Sequence, residues 1–398
     1  MVGSLVVTLA LFVGAIVLSF QVLHGDIAPS ESNLPSLQII GSEQTVFDWS
    51  EQGCSALDFP DAAARAFRDA NGQVHLIASH YVTRAEIGPS LDSVRHDCAR
   101  LMRSDLEADP ARYSDREWLA APYTTDGRIV YALVHNEHQG HNHVGQCPSG
   151  EYERCWYNSI TLARSINGGR TFSQRPPPDH LVASVPYRYE PDAGPFGVFA
   201  PSNIVYRPED DHYYSLVRVE QFGAQREGTC VIRTPRLGRR EAWRAWDGKR
   251  FSVRFIDPYR NASQSSNHLC APVSFPEIAT MSHSLTFNTY LNKYVLVNAS
   301  SLRQPNGRDV WGFFYSTSDD LIHWEQRRLI REAELPFTYE CGDMNPVAYP
   351  SLLDPESPSR NFEITGRRPW LYFTRFHYKQ CEHTPNRDLV RVRVRFSK

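Results

Sequence analysis

The hydrophobic pattern of this chain recurs five times, and each recurrence contains two short apolar runs separated by a turn. The first runs each follow a polar or charged cluster and read DAAARAF from Asp61, WLAAPYT from Trp118, PSNIVY from Pro201, SHSLTF from Ser282 and YPSLLD from Tyr349. The second runs are aromatic or β-branched and read VHLIAS from Val74, IVYALVH from Ile129, YYSLVRV from Tyr213, YVLVNAS from Tyr294 and WLYFTRF from Trp370. The period of roughly 55 to 85 residues contains only strand signals, and one four-stranded sheet cannot bury its own faces. We therefore predict an all-β fold, a five-bladed β-propeller, with an irregular two-sheet sandwich as the alternative.

Further strands are predicted in the second half of each repeat. Three repeats continue with a third strand, a turn and an aromatic residue, in ITLARSINGGRTF, in VIRTPRL with AWRAWDGKRF, and in FFYSTSDDLIHW. The first repeat offers only the weaker CARLMRSDLEADPARYS, and the fifth ends at LVRVRVRFSK without a fourth strand. We expect TVFDWS, at residues 45–50, to supply that outer strand and close the ring, because closure removes an exposed sheet edge.

The first residues predict a membrane or secretion signal. Residues 4–23 carry no charged side chain, and twenty such residues can span a bilayer as a helix. We expect a hydrophobic N-terminal helix, a signal-anchor or signal peptide over residues 1–24, then a linker over 25–44 and the propeller domain over 45–398. Cleavage is the alternative, although no Lys or Arg precedes the apolar run and no small-x-small site follows it. The soluble domain would then lie outside the cytosol, either membrane-anchored or secreted.

Composition agrees with that compartment. Eight cysteines are typical of an oxidising environment. Sequence order favours the pairs Cys54–Cys98, Cys147–Cys155, Cys230–Cys270 and Cys341–Cys381, which is one of about 105 possible connectivities. The net charge of −3 gives no reason to expect nucleic acid as a partner, so the membrane is expected only through the N-terminal helix. The oligomeric state is left open.

Polar residues recur at one end of the predicted blades. In a propeller, the loop entering each first strand and the loop joining the second and third strands lie at the same end. The entering loops carry Asp61, Glu117, Glu190, Asp192, Glu277, Glu340 and Asp343. The second strands end at His80, at His135 and Glu137, at Glu220 and at His377. We therefore expect a polar pocket of carboxylates and histidines at that end.

Several of these segments resemble a known group. The opening at Asp61 after Pro60, the second strands GRIVYALVH and DHYYSLV, and the ending STSDDLIHW resemble five-bladed glycoside hydrolases of the arabinanase, xylosidase and fructosidase type. The turn SINGGRTF is similar to the Asp-box turn of sialidases, with Asn167 in the Asp position. The resemblance implies that Asp61 is the catalytic base or nucleophile. It also implies two further carboxylates from blades two and three, for which Glu117, Glu137 and Glu220 are the candidates.

Glycosidic cleavage uses one ionised and one protonated carboxyl group. We predict Asp61 as base or nucleophile and Glu137 as acid, with Glu220 as the next candidate. A turn-stabilising role for Asp61 and an exposed loop position for Glu137 are the structural alternatives. By strand alternation Arg65 lies on the same side as Asp61, where it would pair with Asp61 or bind an anionic substrate. The predicted substrate-binding residues are Arg65, Glu117, His135, Asn203, His283, Asp343 and Tyr349.

The segment after the second strand of repeat two is rich in histidine. His135, His138, His141 and His143 lie close together with Glu137 among them, a density that suits zinc or another transition metal. The spacing matches no standard metal motif, and a Cys147–Cys155 disulfide would consume both thiolates. We therefore predict no metal ligands and no cofactor, and interpret the segment as a polar substrate-binding loop. A metal at this loop, or calcium in the central channel, is the alternative.

These features predict an extracytoplasmic glycoside hydrolase that acts on a carbohydrate through paired carboxylates. Two other functions stay open. One is a noncatalytic carbohydrate-binding or interaction propeller, because fold does not determine function. The other is a metal-dependent enzyme that uses the histidine-rich loop.

Overall fold

The computed structural model describes residues 35–261, 266–336 and 342–398. These residues are mostly β-strand, which confirms the predicted all-β class. Helix in the described ranges comprises α1 (Trp49–Gln52) and short 3-10 turns that include Pro110–Arg112, Gly140–Asn142, Glu153–Cys155, Arg240–Ala242 and Ser266–His268. The predicted N-terminal helix lies in residues 1–34, outside the described residues. Within the described ranges, no helix is long and apolar enough to cross a membrane.

The first two repeats form antiparallel sheets, as their paired apolar runs predict. Two strands precede them, β1 (Ser36–Ile39) and β2 (Gln44–Phe47). Unit one contains, in spatial order, β3 (Pro60–Arg68), β4 (Val74–Ser79), β5 (Val82–Gly88) and β6 (Arg95–Arg103). Unit two contains β7 (Arg116–Tyr123), β8 (Val130–Gln139) and β9 (Trp156–Ser165), with the short β10 (Ser173–Gln174) and β11 (Leu181–Ala183) both paired to β9.

The next two repeats continue this pattern. Unit three contains β12 (Phe196–Phe199), β13 (Val205–Arg207), β14 (His212–Val219), β15 (Gly228–Thr234), β16 (Arg244–Trp246) and β17 (Phe251–Val253). Strand β12 also pairs in parallel with β9, which joins units two and three in one sheet. Unit four contains, in spatial order, β18 (Ser284–Asn288), β19 (Lys293–Arg303), β20 (Asp309–Ser318) and β21 (Arg328–Glu332).

The last repeat is completed by the beginning of the described chain. Unit five contains β22 (Val347–Leu353), β24 (Trp370–Phe376) and β25 (Arg387–Ser397), while β23 (Ile364–Thr365) pairs with β18 of unit four. Strands β1 and β2 both pair with β25, so they supply its outer neighbour. This confirms the strand predicted at residues 45–50. It also shows that part of the predicted linker over 25–44 is sheet.

Each unit packs on two neighbours, because its strands alternate apolar side chains between two faces. In β4, Val74, Leu76 and Ala78 pack against unit five, whereas Ile77 packs against unit two. Three more buried clusters join units two and three, three and four, and four and five. First strands are also in contact, β3 with β7 and β22, and β22 with β18. The five units therefore contact one another in a closed cycle.

One strand was predicted at the wrong place. The third strand of unit one is β5, and the segment predicted for it, which begins at Cys98, lies in the fourth strand, β6. Strand β5 carries two charged side chains, Arg84 and Glu86, yet both are buried. Arg84 lies 3.4 Å from Asp58 and Glu86 lies 3.2 Å from His96. Partners from other elements allow these charged side chains to be buried. The sequence of β5 therefore lacks the apolar run by which the other strands were predicted.

Three predicted disulfides are present, Cys54–Cys98, Cys147–Cys155 and Cys230–Cys270. Cys381 is also disulfide-bonded. Cys341, its predicted partner, lies outside the described residues.

Candidate functional site

Asp61 lies near the start of β3, where the pairing of β3 with β4 shifts register between Pro60 and Arg65. Such bulges redirect side chains and often lie beside functional sites. The Asp61 carboxylate is 15% exposed and forms an ion pair with Arg387 of unit five. It also accepts hydrogen bonds from Trp118 Nε1 of unit two at 3.1 Å and from the Tyr349 hydroxyl of unit five at 3.3 Å. Three units therefore meet at one carboxylate.

Tyr349 reaches Asp61 from a second irregular strand. Its φ of 56° is left-handed, which is rare for a bulky residue, and the pairing of β22 with β24 shifts register between Ala348 and Ser351. Backbone strain of this kind is concentrated at functional sites. The Asp61 carboxylate and the Tyr349 hydroxyl are thus both presented by bulged first strands.

Glu137 lies near the end of β8, and only 7% of the residue is exposed, so it is not the exposed loop carboxylate of the structural alternative. Its Oε2 accepts hydrogen bonds from Gln139 Nε2 at 2.8 Å and from the Tyr152 hydroxyl at 3.2 Å. Burial raises the pKa of Glu137 to about 8, and the negative charge of Asp61 contributes to the rise. The two carboxyl groups therefore interact electrostatically, and neutral donors hold Glu137 whereas an arginine holds Asp61.

Two histidines lie beside these carboxyl groups, and a third, His283, lies with its ring centre 5.9 Å from that of Tyr349. His80 Nε2 lies 3.6 Å from Asp61 Oδ2, and His135 Nδ1 lies 3.6 Å from Glu137 Oε1. Burial lowers the pKa of both His80 and His135 to about 4, and that of His283 to about 3. All three rings are therefore neutral near pH 7.

Two further arginines lie at this end of the units. Arg65 is buried and donates to the carbonyl oxygens of Ala64, at 3.1 Å, and of His283. Burial lowers the pKa of Arg65 to about 9. Arg218, on β14, forms an ion pair with Glu220 and lies 5.4 Å from the centre of the Phe199 ring. The positive charge of Arg218 also lowers the pKa of His135 and of His283, after the effect of burial, so Glu220 lies at the same end as Glu137.

Aromatic rings border the carboxyl groups. The Tyr152 and Trp156 rings stack with centres 5.0 Å apart, and the Trp156 ring meets Phe199 edge-on at 5.2 Å. Trp118 lies 6.1 Å from His135 and 5.4 Å from His80. Flat apolar faces next to polar groups suit a ligand with one apolar and one hydroxylated side, such as a sugar ring.

Three predicted substrate-binding residues make their observed contacts with groups other than Asp61 and Glu137. Glu117 lies on the opposite face of β7 from Trp118, and burial raises its pKa to about 8. The Asn203 amide bonds both the N–H and the carbonyl oxygen of Leu285, which joins units three and four. Asp343 lies in an exposed turn, where its carboxylate accepts from Asn345 N at 2.8 Å. The other predicted site residues, Asp61, Glu137, His135, His283, Arg65, Glu220 and Tyr349, lie at the same end of the units.

Known proteins resemble this chain in structure. No protein-family model and no curated protein matches it. Solved glycoside hydrolases of the arabinanase and xylosidase type match it over most of its length, at low sequence identity. A xylan beta-1,4-xylosidase from Bacillus halodurans C-125 matches at 10% identity with a TM-score of 0.46, over 86% of this chain and 54% of its own. This chain thus spans about half of that xylosidase.

Two further matches cover the known protein almost completely. A thermostable family-43 glycoside hydrolase matches at 9% identity with a TM-score of 0.44, over 87% of this chain and 94% of its own. The alpha-L-arabinanase of Cellvibrio cellulosa, in complex with arabinohexaose, matches at 10% identity with a TM-score of 0.45, over 84% of this chain and 91% of its own.

Four residues around the carboxyl groups were missed in the sequence, namely Trp118, Gln139, Tyr152 and Arg387. The position of Trp118 was predictable from the sequence, because strand alternation allows only one of Glu117 and Trp118 to face Asp61. Gln139 follows Glu137 by two residues and shares its side of β8 by the same rule. Arg387 and Tyr152 carry no local signal, since one comes from the last strand and the other from a loop.

The histidine-rich segment divides between the two faces of β8. His135 and Glu137 face Asp61, whereas His138 and His143 turn toward Asp115, which directly precedes β7. One ligand atom from each of Asp115, His138 and His143 lies within 4.8 Å of the others, so these residues are able to hold a metal ion. The Cys147 and Cys155 thiols are consumed in a disulfide, as predicted.

Proposed function

We propose that the five sheet units are the blades of a five-bladed β-propeller and that the protein is an extracytoplasmic glycoside hydrolase. Asp61 of unit one and Glu137 of unit two would flank the scissile bond of a carbohydrate. The observation that carries this proposal is the contrast between them, since an arginine holds Asp61 and neutral donors hold Glu137. Glycosidic cleavage requires such a difference between its two carboxyl groups.

The ion pair with Arg387 and the hydrogen bond from the indole N–H of Trp118 hold the Asp61 carboxylate in position. Asp61 then acts as the base that activates water, or as the nucleophile that attacks the anomeric carbon. Glu137 donates its proton to the leaving-group oxygen, and burial, together with the neighbouring negative charge of Asp61, favours that protonated form. Glu220, paired with Arg218, contributes a third carboxylate at the edge of the site.

The three disulfides support a location outside the cytosol, where oxidising conditions preserve such bonds. The aromatic rings of Trp118, Tyr152 and Tyr349 would bind the sugar faces. An interaction surface without catalysis would not require two buried carboxyl groups in contrasting environments.

One observation favours a noncatalytic carbohydrate-binding propeller as the second candidate. Both oxygens of Asp61 already accept hydrogen bonds, Oδ1 from Tyr349 and Oδ2 from Trp118. A carboxylate held on both sides is well placed to bind sugar hydroxyls without attacking the anomeric carbon.

The hydrolase and the noncatalytic binding protein are distinguished by whether a glycan is cleaved. The purified protein is incubated with a panel of plant and bacterial polysaccharides, and both reducing ends and glycan binding are measured. The hydrolase predicts new reducing ends from at least one glycan. Binding without any new reducing ends would refute the hydrolase and support the binding protein.

A further inference from the structure

We propose that Asp115, His138 and His143 form a binding site for a divalent transition metal such as zinc. The proposal concerns the face of unit two that is turned away from Asp61 and does not depend on glycoside hydrolysis. Three side chains meet there: Asp115 directly precedes β7, His138 lies near the end of β8, and His143 lies in the loop that follows β8.

Strand alternation separates this site from the carboxyl pair. Glu137 and His138 are consecutive residues of β8, so their side chains point to opposite faces of the sheet. Glu137 therefore lies on the side of Asp61, and His138 lies on the side of Asp115. His143 follows the 3-10 turn Gly140–Asn142, which returns the chain toward Asp115.

The ligand atoms are spaced as a metal requires. His143 Nε2 lies 2.9 Å from Asp115 Oδ2, and His138 Nδ1 lies 3.8 Å from the same oxygen. Ligands at about 2.0–2.2 Å from a tetrahedral zinc ion are about 3.3–3.6 Å apart. Small side-chain rotations are therefore sufficient to bring all three atoms to coordination distance.

The hydrogen bonds of Gln146 determine which nitrogen of His138 is free. Gln146 Nε2 donates to the carbonyl oxygen of Ala108 at 2.6 Å, so Gln146 Oε1 is the atom that faces His138. His138 Nε2 lies 2.9 Å from that oxygen and must donate to it. The proton is thereby placed on Nε2, and Nδ1 carries a lone pair directed toward Asp115.

Two buried acceptor atoms, His138 Nδ1 and Asp115 Oδ2, therefore face each other. His138 Nδ1 is buried and makes no hydrogen bond in the described part of the chain. At 3.8 Å, its distance from Asp115 Oδ2 is too long for a hydrogen bond. The side chains of His138 and Asp115 are each 2% exposed. Asp115 Oδ2 already has hydrogen-bond partners in Gln139 N and His143 Nε2, whereas a cation would give the buried lone pair of His138 the partner that it lacks.

The surroundings already hold the ligands in place. Asp115 Oδ2 accepts from the backbone N–H of Gln139 at 2.9 Å, and Asp115 Oδ1 accepts from Arg116 at 2.7 Å. The His138 and His143 rings stack at an interplanar angle of 11°. Hydrogen bonds such as that from His138 to Gln146 commonly orient metal-binding histidines. Two histidines and one carboxylate leave a coordination position for water, as in zinc sites with three protein ligands.

The test is a metal titration of the untagged, full-length protein after removal of bound metal with EDTA. Zinc binding is measured by calorimetry, and cobalt binding is followed by its visible spectrum. We expect one equivalent of either metal per chain. We expect His143→Ala and Asp115→Asn each to weaken zinc binding by about 100-fold or more, and Gln146→Ala by about 10- to 100-fold.

His323→Ala is the matched control, because His323 is an exposed histidine of unit four that pairs with an aspartate in the same way. It should bind zinc as the wild type does. Thermal unfolding with and without zinc provides a second measurement, and zinc should raise the Tm of the wild type but not that of Asp115→Asn. The proposal is overturned if the wild type binds no zinc, or if Asp115→Asn and His143→Ala retain wild-type affinity.

Discussion

The two faces of β8 bring together different combinations of acidic and basic side chains. On one face, Glu137 meets Asp61 of another unit and is bordered by aromatic rings. On the other face, His138 lies 3.8 Å from an aspartate of its own unit, and its ring packs edge-on against Tyr189 at 4.7 Å. The first arrangement holds two carboxyl groups in different environments and suits proton transfer. The second brings two imidazole nitrogens and a carboxylate oxygen close together and suits a cation.

The loop after β8 serves both faces. It carries Tyr152, which donates to Glu137, and also His143 and Gln146, which lie with His138. One disulfide, Cys147–Cys155, closes this loop. One strand and one loop therefore position two separate sets of polar groups, because alternate side chains of a strand point in opposite directions.

Removal of the Glu137 acid should have the largest effect. We expect Glu137→Gln to lower kcat/KM by about 10³-fold on natural glycans, because general acid catalysis contributes about 10²- to 10⁴-fold. The loss should be much smaller for aryl glycosides whose leaving group needs no proton. Glu117→Gln, on the opposite face of the adjacent strand, is the matched control and should retain activity. Equal losses on both substrate types would show that Glu137 has only a structural role.

His96 provides a contrast to His138, because it lies between two carboxylates rather than near one. Burial opposes protonation of His96, but hydrogen bonds to Asp58 at 2.8 Å and to Glu86 at 3.2 Å outweigh it and raise the pKa to about 9. The pKa in the unfolded chain is about 6.5. The resulting stabilisation, up to about 3 kcal/mol, is fully present below about pH 6.5 and lost as the pH rises through about 9.

Urea unfolding between about pH 6 and pH 10 measures this contribution. The free energy of unfolding should fall over the alkaline part of the range in the wild type and much less in His96→Gln. Parallel pH dependence in the two proteins would contradict the assignment.

Opening the loop after β8 should affect both faces at once. Cys147 and Cys155 are separated by 8 residues, and a bond closing so short a loop stabilises a protein by about 2–3 kcal/mol. The double variant Cys147→Ser, Cys155→Ser should lose that much free energy of unfolding and should also weaken both hydrolysis and zinc binding. Removing Cys54–Cys98 of unit one should lower stability while leaving zinc affinity unchanged. If opening the loop alters only hydrolysis or only zinc binding, the prediction that the loop supports both sites is wrong.

The smallest effect is expected from Trp118. Trp118→Phe removes the Nε1 donor to Asp61 but keeps an aromatic ring. A hydrogen bond to a charged group contributes about 1.5–3 kcal/mol, so we expect kcat/KM to fall by about 10-fold or somewhat more. Trp311→Phe, at an exposed tryptophan of unit four, serves as the control. Unchanged activity in Trp118→Phe would indicate that the indole does not orient Asp61.

Alternation and period were sufficient to predict most of the fold from sequence. The ten apolar runs lie in or overlap strands, and the missing fourth strand of the last repeat correctly predicted pairing of the chain beginning with β25. Strand β5 was missed because its charged residues are neutralised by partners from elsewhere in the chain. Such long-range pairing leaves no local pattern.

The site was predictable only where strand position determines it. Asp61, His135 and Glu137 recur at strand ends and were predicted together for that reason. Glu117 was assigned to the wrong side of its strand relative to Asp61, because a shift of one residue exchanges the two faces. Arg387 comes to Asp61 only through closure of the cycle of units, and the convergence of Asp115 with His143 depends on the course of a loop.

The most direct test of the Asp61–Glu137 pair is the hydrolysis rate of Asp61→Asn on a glycan that the wild type cleaves. Its folding is checked by thermal unfolding, and Glu117→Gln is measured alongside. We expect the hydrolysis rate of Asp61→Asn to be about 10³-fold lower than that of the wild type, and the rate of Glu117→Gln to be close to wild type. Undiminished hydrolysis by a folded Asp61→Asn protein would contradict this expectation.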